Sequence, residues 1–462
     1  MTGVDVVAGA DLGSGTSDLV ELVQRIAEQA LPGEQVEAYA ARGVDTDIRV
    51  YEGEIETLSS AASAGVGIRV IAGGRQGFAY AGSLDEDVVL ETLAEARDNA
   101  RFTTPDEHVG LAEPDGVAPV DLDVWDDAVL STPTPRKVEL ALDLERRARG
   151  ADGRVRQVAY CDYGDVAAES AVASSTGILS TSRRTLCSVS GEAIAGEGAD
   201  SQTGTGFSAG RGPGDLDVGR AAADAVERAV RMLGATKASS GRCVVVFDPR
   251  VTSTLVSIVS SALSGEAVTK GRSFFADRVG EQVAHGVVTV VDDPTDPRAF
   301  GATRYDSEGL ACRRNVLIDG GVLTGFVFDT TSGRRAGVAS TASAVRGGYA
   351  GTPTAGCRAL LLSPGELDGD DVLRAVGEAF YVQSISGVHS GVNTVSGDFS
   401  VGAEGLMVRG GVLAEPVREV TIASTLQRML QSVLHIGADV EWLPGVAAGQ
   451  TLAVDAMTMS GA

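Results

Sequence analysis

The chain has 462 residues, 44% of them hydrophobic but only 5% aromatic, so a core of Val, Leu, Ile and Ala spread over two or three domains is expected. Its net charge of -25 argues against nucleic acid or an anionic membrane as the main partner. Five single cysteines (Cys161, Cys187, Cys243, Cys312, Cys357), odd in number and with no CxxC pair, exclude a disulfide framework and a zinc ribbon. No apolar run approaches the roughly 20 residues of a membrane helix. No basic stretch followed by an apolar one opens the chain, so a cytoplasmic protein is expected.

Residues 18–30 place Leu19, Leu22, Val23 and Ile26 on one helical face, capped by Ser17 or Asp18 and stopped at Pro32-Gly33. Val36–Ala40 and Ile48–Ile55 read as strands with a turn at Glu52-Gly53, and Val66–Ile71 with Gln76–Tyr80 as a hairpin around Gly73-Gly74. A helix capped by Ser83 runs to Ala100. Pro105–Asp127 reads as a linker. A second unit follows, with a helix from Pro135 to Gly150 and strands at 155–160, 166–172 and 186–194. Turns are expected at Asp162–Asp165 and Ser174–Gly177, a glycine-rich loop at 195–214 and a helix at 216–233.

The third unit opens with the buried strand Cys243–Phe247 and a helix begun by Asp248-Pro249. Strands are expected at 287–291, 316–328 (turning at Asp319-Gly320), 359–362 and 406–422, and helices at 371–382 and 426–436. The fold class is therefore α/β (α+β): N-terminal units of helices on mixed or antiparallel sheets, then a β-rich C-terminal domain with helices. The expected domains are 1–104, 105–236 and 237–462.

The densest glycine stretch, Ser386–Gly405, has no period and reads as a rigid loop leading into a hairpin at 406–413. Such a loop serves as a peptide cradle, a catalytic loop or a partner interface. Two motif matches fail on context. Gly206-Phe-Ser-Ala-Gly210 has the GxSxG form of a nucleophile elbow, but glycine-rich polar sequence takes the place of the flanking strand and helix. Gly9–Gly15 lacks both the GxGxxG spacing and the Walker lysine. His108, His285, His389 and His435 never fall at i, i+4, so a zincin helix cannot be built. Asp292-Asp293 reads as a solvated turn. His389, Ser390 and Asp398 could form a Ser–His–Asp set, although neighbours on an extended segment point opposite ways.

The third unit resembles the PmbA/TldD family of peptidase subunits. The matching residues are Phe328-Asp-Thr-Thr-Ser-Gly-Arg-Arg-Ala-Gly337 with Ser340-Thr-Ala-Ser-Ala344, Ser390–Ala403, and Pro416-Val-Arg-Glu-Val-Thr-Ile-Ala423. The first unit is similar through Val66-Gly-Ile-Arg-Val70 and Gln76-Gly-Phe78. In that family the TldD branch carries an HExxxH helix and a cysteine as a metal site for peptide hydrolysis, and the TldE (PmbA) branch lacks them. Here the corresponding helix is Leu255–Gly265, in a register set by Gly271-Arg-Ser-Phe-Phe275, and the ligand positions hold Val256, Ser257 and Ser261.

The resemblance implies a TldE-like subunit with no catalytic or metal residues and no cofactor of its own. Zinc or a similar metal would sit in a TldD-type partner, and the substrates would be unfolded peptides. Ser390, Gly391, Asn393, Gly397 and Asp398 are expected to shape a peptide cleft or the subunit interface. The alternatives are a stand-alone hydrolase using Ser390 and His389, and a non-enzymatic binding or assembly protein.

Overall fold

The computed structural model describes residues 12–13 and 15–461. Most of the Gly9–Gly15 segment therefore lies outside the described residues. Residues 17–230 build one antiparallel sheet of six strands, in the order β3-β2-β1-β4-β5-β6. The strands are β1 (Glu34–Tyr51), β2 (Glu54–Ala72), β3 (Arg75–Ala81), β4 (Val155–Ser174), β5 (Leu179–Ala195) and β6 (Gln202–Gly210). The turns at Glu52-Gly53 and Gly73-Gly74 fall where expected, and all four residues take the positive φ that such turns need.

The strands are longer than the sequence reading allowed. The turn expected at Asp162–Asp165 is continuous β4, because its polar residues are paired rather than solvated. Arg49 grips Asp162 through two hydrogen bonds of 2.7 and 2.8 Å, and Lys137 reaches the buried Asp165 at 2.5 Å. Likewise the loop expected at 195–214 contains strand β6. Gly204 and Gly206 let the helix Val218–Val230 lie directly on it, since a Cβ at either position would meet helix backbone at 2.3 and 1.9 Å.

All four long N-terminal helices lie on one face of this sheet. They are α1 (Ser17–Ala27), α2 (Glu86–Phe102), α4 (Thr134–Ala151) and α5 (Val218–Val230); α3 (Ala128–Ser131) is a single turn. The α2 cap is Asp85 rather than Ser83, whose hydroxyl bonds the Asp85 amide instead. Leu19, Val23 and Leu93 pack on Val36, Ala38, Val66 and Ile68, while Leu144 and Ala225 pack around Ile48, Cys161 and Val189. The period-2 alternation then turns Glu37, Tyr39 and Arg69 to the opposite face.

The C-terminal residues cover that opposite face. Strand β7 (Gly241–Phe247) pairs in parallel with Ala379–Ser386 and antiparallel with Leu452–Ser460. Ala379–Ser386 pairs with Asp398–Arg409, which pairs with Val412–Thr425, and this last strand returns to Leu452–Ser460 through Thr421–Ala423. The sheet thus closes on itself. Helix α6 (Pro249–Ala262) packs against it, begun by the Asp248 carboxylate as expected. The helix expected at 371–382 stops at Val376, because Gly377 takes φ 69° and the chain turns into a strand at Ala379. The late helix covers only Leu426–Gln431 before the strand Val433–Ile436.

Buried charges join the two parts. Glu37 accepts hydrogen bonds from Arg69 (2.9 and 2.6 Å) on β2 and from Arg346 (2.6 Å) on the C-terminal side, and the three side chains are only 1–3% exposed. The two guanidiniums hold Glu37 below the ordinary carboxylate range against its burial. Glu308 lies 3.6 Å from Arg69, and its other oxygen takes the Thr330 amide and hydroxyl. Burial pushes Glu308 and the nearby Asp306 upward, with Asp306 and Asp329 adding to Glu308's rise and Arg69 opposing it.

Two predictions follow from this seam. Glu37→Ala leaves the buried Arg346 without its carboxylate and Arg69 with only the more distant Glu308, and should cost about 3–5 kcal/mol in urea unfolding. The raised carboxyls hold protons in the folded state that the unfolded chain has released. Stability should therefore fall as pH rises from the ordinary carboxylate range to neutrality. Glu308→Gln should flatten that slope in unfolding midpoints measured across the window.

Candidate functional site

The glycine stretch divides into a short loop and a strand. Residues 398–405, expected as loop, open the strand Asp398–Arg409. Gly405 is there because a Cβ would sit 1.9 Å from the Tyr381 carbonyl across a bulge. The loop proper starts at Gly387 (φ 74°), runs through the single turn Val388–Gly391 and ends at Gly397 (φ 83°).

Asn393 organises this loop. Its side-chain oxygen accepts the Val395 and Ser396 amides at 2.9 and 3.1 Å, its own amide donates to the Asp398 carbonyl at 2.9 Å, and its carbonyl receives the Gly397 amide at 2.8 Å. Gly391 packs on the Ser400 carbonyl so closely that a Cβ would lie 1.9 Å away. Ser390, Gly391, Asn393, Gly397 and Asp398 are thus brought together in one self-bonded loop. Its exposed tip carries Val395, and its base is tied to Leu426 and Gln427.

This geometry makes no Ser–His–Asp set. The Ser390 hydroxyl donates to the Gly387 carbonyl at 3.2 Å, and the Asp398 carboxylate accepts the Ser396 hydroxyl at 2.6 Å. His389 is exposed, with no hydrogen bond or ion pair among the described residues.

On α6, Val256 points into an all-apolar packing site with Leu426, Met429, Val433 and Leu452. Ser257 is half-buried, and its carbonyl accepts the Ser260 hydroxyl at 2.6 Å. Ser261 faces an open cleft of about 420 Å³ with Ser260, Ser264, Glu266, Lys270 and Arg272. Val has no donor atom and a neutral hydroxyl is a poor ligand, so these three positions do not fit a catalytic metal. Among the described residues no three His, Cys, Asp or Glu side chains cluster as a metal would need. Burial lifts the thiols of Cys161, Cys187 and Cys312 to about 12, which makes them inert packing residues.

Two features of buried charge are not visible in the sequence pattern. Asp292, expected as a solvated turn residue, is buried at the end of β8 (Val290–Asp292). One oxygen takes the Arg358 and Ala359 amides at 2.9 and 2.7 Å, and burial raises the carboxyl. The Glu37–Arg69 pair is directly cross-strand, yet a bulge at Arg49/Val50 shifts the register, so counting from the Glu52-Gly53 turn does not find it. Beside this seam runs a cleft of about 590 Å³ between the open sheet face and residues 301–307 and 346–350.

Three family models match in chain order: the PmbA/TldA metallopeptidase domain 1 over residues 36–100, the central domain over 127–233 and the C-terminal domain over 240–461. The chain belongs to the PmbA/TldD metallopeptidase family. It is 27% identical over 438 residues to the metalloprotease PmbA of Escherichia coli O157:H7, covering 94% of each chain. It is also 27% identical to a metalloprotease TldD homolog of Haemophilus influenzae, over 80% of this chain and 78% of that protein. The crystal structure of TldE from Thermococcus kodakarensis superposes with a TM-score of 0.85 at 22% identity, covering 96% of this chain and 99% of that one. That likeness shows the fold.

The loop geometry carries a prediction. Gly391→Ala should destabilise by about 1–3 kcal/mol in urea unfolding, because neither backbone can yield to the added methyl. His389→Ala should stay within about 0.5 kcal/mol of the parent.

Proposed function

We propose that this chain is the TldE-type subunit of a cytoplasmic TldD/TldE-type metalloprotease acting on unfolded peptides. The carrying observation is α6. It keeps its capped start and its packing, while Val256, Ser257 and Ser261 stand at the positions the family resemblance assigns to metal ligands. The metal, zinc or a similar ion, and the water it activates then belong to a TldD-type partner. This chain supplies cleft wall and subunit contact, with Ser390, Gly391, Asn393, Gly397 and Asp398 as the shaped loop that meets the peptide or the partner.

An extended peptide of mixed sequence can be held by main-chain hydrogen bonds to a strand edge. Strand β2 offers one. Its residues 54–64 pair with β1 on one side, whereas β3 pairs only with residues 66–72 on the other. The stand-alone hydrolase reading lacks support in the loop, where Asp398 is committed to Ser396 and Ser390 to a carbonyl.

Mixing tests the proposal. The purified chain alone should leave unfolded peptides intact, and peptidase activity should appear on adding a TldD-type chain bearing HExxxH. That activity should vanish on chelation and survive His389→Ala in this chain. Peptide cleavage by the isolated chain, lost in His389→Ala, would sink the proposal.

A further inference from the structure

Where β4 and β5 meet the C-terminal residues, a pocket of about 360 Å³ opens beside the larger cleft, sharing Arg184, Gly301 and Arg358 with it. Arg184, Arg211 and Arg358 converge on it, its walls include Phe300, Val345 and Val446, and no Asp or Glu lines it. Among the described residues none of the three arginines makes a direct ion pair, unlike Arg69, Arg228 and Arg346, each of which is in contact with a buried carboxylate. Arg211 lies over the Phe300 ring at 5.6 Å and donates to the Ala299 and Phe300 carbonyls at 2.6 and 3.3 Å, with no carboxylate on its guanidinium. Arg358 donates from Nη2 to the Ser307 hydroxyl and the Ala344 carbonyl, both at 2.8 Å, while its buried Nε makes no hydrogen bond. Arg184 is exposed and makes no side-chain hydrogen bond or ion pair among the described residues.

Burial and the neighbouring Arg184 charge pull Arg211 below the usual arginine range, with Asp215 opposing them. Arg358 shares its charge with buried Asp292 and Asp306, and Asp215 lies near Arg211, so the least compensated charge is that of Arg184. Like charges gathered in a half-buried pocket repel one another, and an anion placed between them relieves that repulsion. The planar fork of a guanidinium matches a carboxylate in two hydrogen bonds. The aromatic and aliphatic walls suit a small apolar body attached to that anion.

We infer that this pocket receives a free carboxylate on a small apolar residue, the C-terminal end of a peptide. The inference rests on the peptide-handling reading above and adds an anchor for one end of the substrate.

Calorimetric titration of the 462-residue chain at low salt tests it with three probes: a tetrapeptide ending in valine with a free carboxylate, the same peptide amidated at its C-terminus, and inorganic phosphate. The free acid should bind at least about tenfold more tightly than the amide, and Arg184→Ala, an exposed change that leaves the fold intact, should weaken the acid by about tenfold. Arg211→Lys should weaken it too, since the charge remains but the fork is lost. Equal binding of acid and amide, indifference to Arg184→Ala, or phosphate binding without the peptide acid would each overturn the assignment. If the pocket fails these tests while the mixed pair keeps its metal-dependent peptidase activity, the anchor is wrong and the subunit reading stands.

Discussion

One buried carboxylate, Glu37, holds two guanidiniums that come from different parts of the chain. Arg69 reaches it from the neighbouring strand and Arg346 from the C-terminal residues. Removing three charges from water is expensive, and only their close mutual pairing offsets that cost. The pair joins the sheet face to the C-terminal residues in one specific register, because Arg346 finds its carboxylate only there. A second buried pair repeats the device: Arg228 of α5 meets Asp248, the residue that caps α6, at 2.7 Å.

The same seam explains why a chain of such strong negative charge places its arginines as it does. Several are spent inside, on Glu37, Glu169 and Asp248, where they neutralise buried acids. Arg184 and Arg211 are left over at the edge of the seam, facing a pocket without acids. The site region on α6 tells a complementary story. The helix is capped and its inner face is apolar, while Val256, Ser257 and Ser261 offer a metal no good donor.

Much of the fold was legible because period and punctuation agreed. Leu19, Leu22, Val23 and Ile26 marked α1, Asp248-Pro249 marked the start of α6, and the turns at Glu52-Gly53 and Gly73-Gly74 fell in place. What was not legible was strand length. Asp162, Asp165 and the glycines of β6 look like turn residues in sequence, and only cross-strand or cross-helix partners far along the chain make them strand residues. The loop residues Ser390, Gly391, Asn393, Gly397 and Asp398 were legible as a group, since local side-chain-to-backbone bonds hold them. The seam was not, because Glu37, Arg346 and Glu308 are brought together across long sequence separations that no local pattern records.

The central claim is that this chain helps form a metallopeptidase without holding its metal. Metal analysis by mass spectrometry on the isolated chain and on its complex with an HExxxH-bearing partner tests it most directly. The account expects metal in the complex in proportion to the partner chain alone, and none retained by this chain after gel filtration. Stoichiometric metal on the isolated chain, accompanied by peptide cleavage, would contradict it.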